Sequence, residues 1–477
     1  MFLKKYHGIF ASFAILLLFF NNCAVEQFEK NENATIESQD IENLDGGDDQ
    51  LFQSASTDLV GPRCSRPIAV EHVGSLREYS GSSLKYVTDR TNNIRMSARA
   101  LKLFILSAQG LWNRSGSCVY LFNGPVNNFS QDGFLAYSRP NFSHVFSVRD
   151  DHLASEVFNR GGLLDYLITH VDFDGAVIYE PTKPYTINPA TYASGTRNLA
   201  IMDSGLKSWF DRKFPRTFPT ALGLRNRFDK STKAASYLEA QKWITTEHIT
   251  RRRSPNLKDL ATIDYLKEGK DSLRDLVIKD KMGLFWAPMI AGAETCGAKN
   301  RIVHGLDENS LALQRNIEIL LKNTQVDRLI YGWLSSVYKG QDRGVCEDKA
   351  VAWISRFSKN LTPSGLGKNF SFHSSQTPGR MVQKSISQAR TRGPNPTLRY
   401  RKNKTYVAFT MIDSGDSPGY YSTEFTSRQW NDPNRASFPA TWAIPNSMRQ
   451  LYPKLVHHVY NTQSNVNLFV SGMSGLG

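Results

Sequence analysis

Residues 163–179 decide the fold class, and their sequence is LLDYLITHVDFDGAVIY. The first half spaces its apolar residues as a helix does, and the second half ends in a short apolar run, 175–179, that is typical of a buried strand. The same order occurs earlier, where a helix is predicted over 98–106 and a strand over 118–122. Such alternation predicts a parallel α/β sheet.

Strand-like runs recur in the second half of the chain, at 284–286, 328–333, 369–372, 406–412, 441–444 and 467–470. Helices are predicted between several of them, including one with Leu313, Ile317 and Leu320 on one face. We therefore expect a second α/β domain that is either barrel-like or an open sheet. In both architectures ligands bind beyond the carboxyl ends of the strands.

The composition changes along the chain and predicts five segments. They are a signal peptide (1–23), a disordered acidic tether (24–60), an N-terminal α/β domain (61–200), a connecting subdomain (201–270) and a C-terminal α/β domain with the candidate catalytic site (271–477).

The N-terminus has the features of a secretion signal. Lys4 and Lys5 precede an apolar run that ends close to Cys23. The run is short for a transmembrane span, and a cysteine at its end indicates lipoprotein processing with the thiol as lipid acceptor. We expect an exported protein of the bacterial cell envelope, an outer-membrane or surface lipoprotein bound to the membrane through this lipid. The alternative is an uncleaved anchor helix.

Charge is distributed unevenly. Residues 24–60 contain ten acids and one base, which leaves 55 basic and 34 acidic side chains in 61–477. The strongly basic part, 61–477, predicts salt-dependent adsorption to anionic polymers. The sequence shows no nucleic-acid-binding module, and we expect no nucleic-acid partner.

The sequence does not specify whether the cysteines form disulfides or remain free thiols. Besides Cys23 they are Cys64, Cys118, Cys296 and Cys346, which permit three pairings or four free thiols. The sequence has neither a CxxC nor a histidine-rich metal pattern, and we expect neither a metal nor a cofactor.

Two carboxylates follow the predicted strand 406–412. Asp413 and Asp416 flank a Ser-Gly pair there, and Glu347 and Glu424 are further candidates for a catalytic carboxylate. Glycoside hydrolysis uses one carboxylic acid as proton donor and a second carboxylate as base or nucleophile. The alternatives are an ordinary turn after a strand, and for Glu347 an acid that complements a helix dipole.

Other side chains near predicted strand ends suit a sugar site. Asn369 and His373 accompany one strand and Trp442 another, because amides bond to hydroxyl groups and rings stack on sugar faces. The alternative for the tryptophan is a place in the core.

Several segments of the chain resemble motifs of the glycoside hydrolase family named for a C-terminal GxGYxYP motif. Residues 108–114 (AQGLWNR) resemble its LQGxxNR segment, 273–275 its LRD and 369–374 its NLSxHS. The resemblance covers most of 98–477. Further matching segments are 175–179, 188–191, 406–409, 415–416, 443–445 and 469–477.

The resemblance implies a hydrolase that acts on a carbohydrate. Asp416 corresponds to an acid of the family's SDGDN segment, and only this acid clearly corresponds. Gly475 and Gly477 begin the naming motif and are assigned to substrate binding, while the sequence ends before the motif's Tyr and Pro.

Two other hypotheses stay open. A metal-dependent deacetylase needs histidines at helical spacing, but the close pair here, His457 and His458, consists of chain neighbours. A surface lipoprotein that binds glycan or an envelope partner without catalysis is the non-enzyme alternative.

Overall fold

In the computed structural model the chain divides into two compact units, Met1–Gln53 and Ser54–Gly477. The structure describes residues 63–471 except 77–84, 90–92, 126–134, 136–139, 150–155, 215–217, 251–258, 264–272, 287–290, 292–293, 297–300, 303–307, 333, 335–336, 339–340, 343, 346, 363–366, 377–378, 393–402, 406, 408, 412–419, 422–424 and 426–427. All of these belong to the second unit. The predicted signal peptide, Cys23 and the tether therefore lie outside the described residues, and the boundaries at 200 and 270 stay predictions.

The strands of the described part are, in chain order, β1 (Ile68–Glu71), β2 (Tyr86–Asp89), β3 (Ile94–Ser97), β4 (Val119–Leu121), β5 (His144–Ser147), β6 (Gly175–Ile178), β7 (Leu199–Met202), β8 (Thr220–Gly223), β9 (Leu260–Thr262), β10 (Gly283–Phe285), β11 (Glu294–Cys296), β12 (Arg301–Ile302), β13 (Arg328–Gly332), β14 (Val337–Tyr338), β15 (Gln341–Asp342), β16 (Gly344–Val345), β17 (Lys359–Thr362), β18 (Thr410–Met411), β19 (Ala440–Ile444) and β20 (Asn467–Ser471).

The α-helices are α1 (Ala98–Trp112), α2 (Leu163–His170), α3 (Ile187–Arg197), α4 (Ser204–Lys213), α5 (Lys233–Thr250), α6 (Arg274–Asp280), α7 (Glu308–Asn323), α8 (Glu347–Ser355), α9 (Phe370–His373), α10 (Gly379–Arg392), α11 (Asn446–Leu451) and α12 (Pro453–Asn461). Among them, none has the length and apolar character that crossing a bilayer requires.

Four parallel sheets organise this part of the chain. Their strand orders are β4-β1-β5, β7-β6-β8, β10-β9-β13-β17 and β18-β19-β20. Smaller antiparallel sheets are formed by β2-β3, β12-β11-β16 and β14-β15. The mixed α/β class is confirmed. The described strands form open sheets and close no barrel.

The helix and strand predictions that opened the sequence argument are confirmed. Helix α1 begins after Ser97, whose hydroxyl accepts a hydrogen bond from the Ala100 N–H at 3.0 Å. Every residue of this helix is buried, so it is the central helix of the N-terminal half rather than an amphipathic surface helix. In α7 the predicted face of Leu313, Ile317 and Leu320 is buried as expected.

One predicted strand is wrong. Residues 369–372 do not form a strand, because Phe370–His373 is the short helix α9 and Asn369 before it has the left-handed backbone conformation with φ of 51°. The sequence Asn-Phe-Ser-Phe alternates polar and apolar residues as a strand does, but a period read over four residues does not exclude a short helix.

A disulfide joins Cys64 to Cys118, which are 54 positions apart. It connects the segment before β1 to the start of β4, two neighbouring strands. The sequence left this pairing open. The Cys296 side chain and Cys346 lie outside what the structure describes.

Candidate functional site

The carboxyl edge of the β18-β19-β20 sheet is the candidate site. The register pairs Met411 with Trp442 and Ile444 with Ser471. All three strands are parallel, so the chain leaves each of them at the same edge. Neighbouring strands are about 4.8 Å apart, and β18 ends two residues before the level at which β19 and β20 end, so the three exits lie within about 12 Å of one another.

Four of the predicted site residues belong to the segments that leave this edge. Asp413 and Asp416 follow β18 within a few residues, and Gly475 and Gly477 follow β20. These four residues and Glu424 lie outside the described residues. The topology thus brings the starts of their segments together, and their roles stay predictions.

Glu347 is the first residue of α8, where an acid complements the helix dipole. Its side chain is outside the described part, so its catalytic role also stays a prediction.

An aromatic cluster packs against the C-terminal sheet. The Trp430 ring lies 5.5 Å from Phe425, 5.4 Å from Trp442 and 5.6 Å from Phe469, measured between ring centroids. Its indole N–H donates to the Thr462 hydroxyl at 2.9 Å. These contacts hold the strands that carry the candidate edge.

Trp442 belongs to this cluster. It is 7% exposed, and its ring also meets Phe425 at 5.9 Å. The core alternative raised for Trp442 therefore accounts for its position. Its buried indole N–H has no hydrogen-bond partner among the described residues.

Asn369 lies inside the protein rather than at a strand end. Its amide oxygen accepts hydrogen bonds from the Gln109 side chain at 2.7 Å and from the Leu121 N–H at 2.9 Å. Its amide nitrogen donates to the Leu121 carbonyl at 2.9 Å. The asparagine thus ties α9 to α1 and β4, and this role explains it without a ligand.

Asn113 makes a second set of internal bonds. Its side-chain oxygen accepts from the N–H groups of Cys118 and Val119 at 2.8 and 2.9 Å, and its nitrogen donates to the Ser371 hydroxyl at 2.8 Å. The Ser371 N–H in turn donates to the Asp275 carboxylate at 2.9 Å. We call this buried group the polar hub; its members are Gln109, Asn113, Asp275, Asn369 and Ser371.

Asp275 is the charged member of the polar hub. One carboxylate oxygen accepts from Ser371, and the other is buried with no hydrogen-bond partner among the described residues. Burial raises the pKa of this carboxyl above its ordinary value. A raised folded-state pKa means that Asp275 favours the folded state in acid, and this contribution is lost as the pH rises.

His373 lies beside the hub and is 1% exposed. Its ring centroid is 5.0 Å from that of Tyr452 and 5.8 Å from that of Tyr120. The side chain of His373 is thus buried in the fold, and its contact with a sugar stays a prediction.

Arg114 holds two helix ends next to the polar hub. Its guanidinium donates to the carbonyl of Gly195 near the end of α3 and to those of Ile278 and Lys279 at the end of α6, and also to the Asn198 side chain. Carbonyls at helix C-termini lack intrahelical hydrogen-bond partners. A cation there donates hydrogen bonds to them and interacts favourably with the negative end of the helix dipole.

Gly110 lets α1 approach α6 closely. A Cβ atom at this position would lie 2.7 Å from the Asp275 carbonyl oxygen and 2.7 Å from the Ile278 side chain. No other residue fits this contact without movement of the helices.

The sequence motifs pointed to these hub residues without revealing their role. The signal present in the sequence is a pair of polar residues at the end of a largely apolar helix, Gln109 within its last turn and Asn113 directly after it. Buried polar groups are almost always hydrogen-bonded, so such residues indicate a crossing of elements as readily as a ligand site.

No three His, Cys, Asp or Glu side chains of the described residues lie close enough together to share a metal ion. His457 was named in the deacetylase hypothesis. Its ring forms a hydrogen bond with the Ser385 hydroxyl of α10 at 2.7 Å.

Residues 403–477 match the model of the GxGYxYP putative glycoside hydrolase C-terminal domain. The sequence resemblance is thereby confirmed for the segment that contains Asp413, Asp416 and the C-terminal sheet.

The chain is also similar to the crystal structure of a putative hydrolase from Bacteroides thetaiotaomicron VPI-5482, with a TM-score of 0.47 and 14% sequence identity. The similarity covers 87% of this chain and 64% of that chain, so the present chain spans under two thirds of its length. No curated protein sequence matches.

Proposed function

We propose that the protein is a glycoside hydrolase that cleaves a polysaccharide or oligosaccharide outside the cytoplasm. One observation carries the proposal. The segment that matches the GxGYxYP glycoside hydrolase domain contains a parallel sheet, and in the sequence Asp413 and Asp416 come shortly after β18, whose carboxyl end lies at the carboxyl edge of that sheet. That edge is where α/β sheets bind their ligands.

In this mechanism Asp416 is one of the two catalytic carboxylates, and the second is Asp413, Glu347 or Glu424. One carboxylic acid donates a proton to the glycosidic oxygen as the bond breaks. The other carboxylate either attacks the sugar carbon or activates a water molecule for the attack. A separation of about 5 Å between the two groups gives retention of configuration, and one of about 6.5–9.5 Å gives inversion.

The location outside the cytoplasm is part of the proposal, with Cys23 as the lipid attachment site in the bacterial envelope. The apolar run before Cys23 supports it, and so does the disulfide between Cys64 and Cys118, since disulfides persist mainly in oxidising compartments. Metabolic labelling with a radioactive fatty acid should mark the chain and fail to mark Cys23→Ser.

The experiment on activity measures the reducing ends that the chain releases from a panel of neutral and acidic polysaccharides. We expect release from at least one of them and loss of release in Asp416→Asn. Asp211→Asn is the matched control, because Asp211 is an exposed acid of α4 that pairs with Lys207 one turn away. No release from the unchanged protein on any polysaccharide would contradict the proposal.

The second carboxylate is identified by Asp413→Asn, Glu347→Gln and Glu424→Gln, assayed on the same polysaccharide. The variant that loses as much activity as Asp416→Asn marks the partner. Equal activity in all three variants would refute the assignment of the second carboxylate to this set.

The sequence after β18 favours one alternative, a protein that binds glycan without cleaving it. Only Asp416 clearly corresponds to an acid of the family's SDGDN segment, and Ser414 stands two residues before it. The alternative predicts calorimetric binding of a polysaccharide without release of reducing ends, and little change in that binding in Asp416→Asn.

A further inference from the structure

A partly exposed tryptophan of α5, Trp243, lies beside two arginines from other elements. The guanidinium carbon of Arg197, the last residue of α3, is 5.8 Å from the centroid of the Trp243 ring. The guanidinium carbon of Arg227, which follows β8, is 5.9 Å from the same centroid. Cations at this distance are attracted by the face of an indole ring. We call these three residues the Trp243 site.

The two arginines of the site differ in their partners. Arg197 donates to the Glu247 carboxylate of α5 at 2.7 Å, and its side chain is half-buried. Arg227 is exposed and forms no ion pair within the part of the chain that the structure describes. Arg197 therefore serves the packing of α3 against α5, whereas the charge of Arg227 is available to a ligand.

The loop that carries Arg227 is fixed on both sides of this residue. Before it, the Lys183 ammonium donates to the Asn226 side chain at 3.0 Å. After it, Phe228 is buried, and its ring centroid is 6.0 Å from that of Trp243. The backbone of Arg227 is thus held near the indole before any ligand binds, which lowers the entropy cost of binding.

A tryptophan ring beside a guanidinium without an acidic partner suits an acidic sugar. The planar guanidinium forms two parallel hydrogen bonds with a carboxylate. The indole offers an apolar face to the C–H groups of a sugar ring and an N–H group to a hydroxyl oxygen. A uronate unit contains all three of these partners.

The surroundings of the site favour such a small ligand over a bilayer, a protein or a nucleic acid. Between 175 and 250, the described residues include no exposed large apolar side chain, whereas bilayers and protein interfaces bury several together. Residues 225–250 contain five bases and three acids, a net charge of +2. Nucleic acids are bound by many basic side chains on successive phosphates, and a surface of mixed charge lacks that pattern.

We propose that the Trp243 site binds one uronate unit of an acidic polysaccharide, with the guanidinium of Arg227 on the sugar carboxylate and the indole of Trp243 against the sugar ring. Arg197 holds the indole in place. The carbohydrate nature of the ligand rests on the proposed function, and the charge of Arg227 narrows it to acidic sugars. The site contains none of the proposed catalytic carboxylates.

The test follows the NMR signal of the Trp243 indole N–H group in the full chain while oligogalacturonate or oligomannuronate is added. Trp243→Phe identifies this signal, because it disappears in that variant. We expect a shift with at least one of the two acidic oligomers. The methyl ester of the same oligomer has no charge and should leave the signal unchanged. Absence of a shift with both acidic oligomers would overturn the proposal, and so would an equal shift with the ester.

The variant Arg227→Gln tests the carboxylate contact. It should raise the oligomer concentration at the midpoint of the indole shift by about tenfold or more, because a charge-assisted pair of hydrogen bonds is lost. Lys230→Gln is the matched control, since Lys230 is an exposed base of the same loop and its loss should change the midpoint by less than about twofold. Equal weakening in both variants would show general attraction to basic side chains and refute the site. Circular dichroism melts verify that each variant folds.

Single-stranded oligothymidylate separates a sugar site from a nucleic-acid site. An indole shift as large as that produced by the acidic oligomers would refute the sugar assignment, and we expect none. The indole signal records binding and not cleavage. Failure of binding at Trp243 and failure of hydrolysis at Asp416 are therefore separate results, and either can be observed without the other.

Discussion

The polar hub and the carboxyl edge of the C-terminal sheet both involve motif residues, but substitutions in the two regions should have different effects. In the hub, Asn113 and Asn369 bond to backbone groups of neighbouring elements inside the protein. At the edge, Asp413 and Asp416 come after β18 in the sequence, and the role proposed for them is catalysis. Under this proposal, motif residues of similar polarity serve assembly in one region and chemistry in another. Substitutions in the hub should lower stability, and substitutions at the edge should lower activity.

The largest effect on stability is expected for Arg114→Ala. The change leaves the carbonyls at the ends of α3 and α6 without their partner, and we expect a loss of about 3–5 kcal/mol in the free energy of unfolding. Urea unfolding measures it. Arg225→Ala is the control, because Arg225 has a 69% exposed side chain that pairs with Glu180 and should cost under about 1 kcal/mol. Equal costs for both would show that the helix ends do not depend on Arg114.

Acid should lower the free energy of unfolding because the imidazole of His248 in α5 is buried. Burial lowers the pKa of this imidazole to about 4 from an ordinary value of 6.5. Between these values the unfolded state binds a proton that the folded state does not, so the free energy of unfolding falls as the pH decreases, by about 3 kcal/mol in total. Urea unfolding at pH 7, 5.5 and 4 measures the slope.

The variant His248→Gln should reduce that slope, because glutamine does not titrate. If the variant and the unchanged chain lose stability in parallel between pH 6.5 and 4, then His248 is not the cause. Measurement of hydrolysis over the same range separates the interior from the edge, since carboxylates govern activity there.

A smaller loss is expected for Gly110→Ala. The added methyl group meets the Asp275 carbonyl and Ile278 at 2.7 Å, so α1 and α6 must move apart at a cost of about 1–3 kcal/mol. The control is Gly223→Ala at the end of β8, where a Cβ atom has no neighbour within 4 Å. A melting temperature lowered equally by both substitutions would count against the close packing of these helices.

The smallest effect on stability is expected for Asp416→Asn at the edge. We expect a change of under about 0.5 kcal/mol in the free energy of unfolding, because a residue that serves chemistry is not needed for packing. The same variant should lose at least about a hundredfold in hydrolysis rate. A large loss of stability would show that Asp416 contributes to the folded structure, as the residues of the polar hub do.

The sequence predicted the fold class because helix and strand periods are local. The pattern 163–179 and the helix that starts at Ala98 needed no information from elsewhere in the chain. The same local logic failed at 369–372, where the alternation of polar and apolar residues in Asn-Phe-Ser-Phe fits a strand but is too short to exclude a helical turn.

The candidate site was predictable in part. The sequence shows that acids follow the run 406–412. It does not show that β18 pairs with β19 or that β19 pairs with β20. Strand order depends on contacts between residues far apart in the chain, so only the folded arrangement places the exits of these strands side by side.

By itself the sequence determined the alternation of helices and strands, the basic body and the acids after the strand at 410, because each follows from residue type and local spacing. Only the tertiary structure decided that Asn369 and Asn113 are internal, that Cys64 pairs with Cys118, and that Arg197 and Arg227 lie beside the ring of Trp243. The physical reason is that hydrogen bonds, disulfides and ring contacts depend on distances in space, which residue spacing along the chain does not specify.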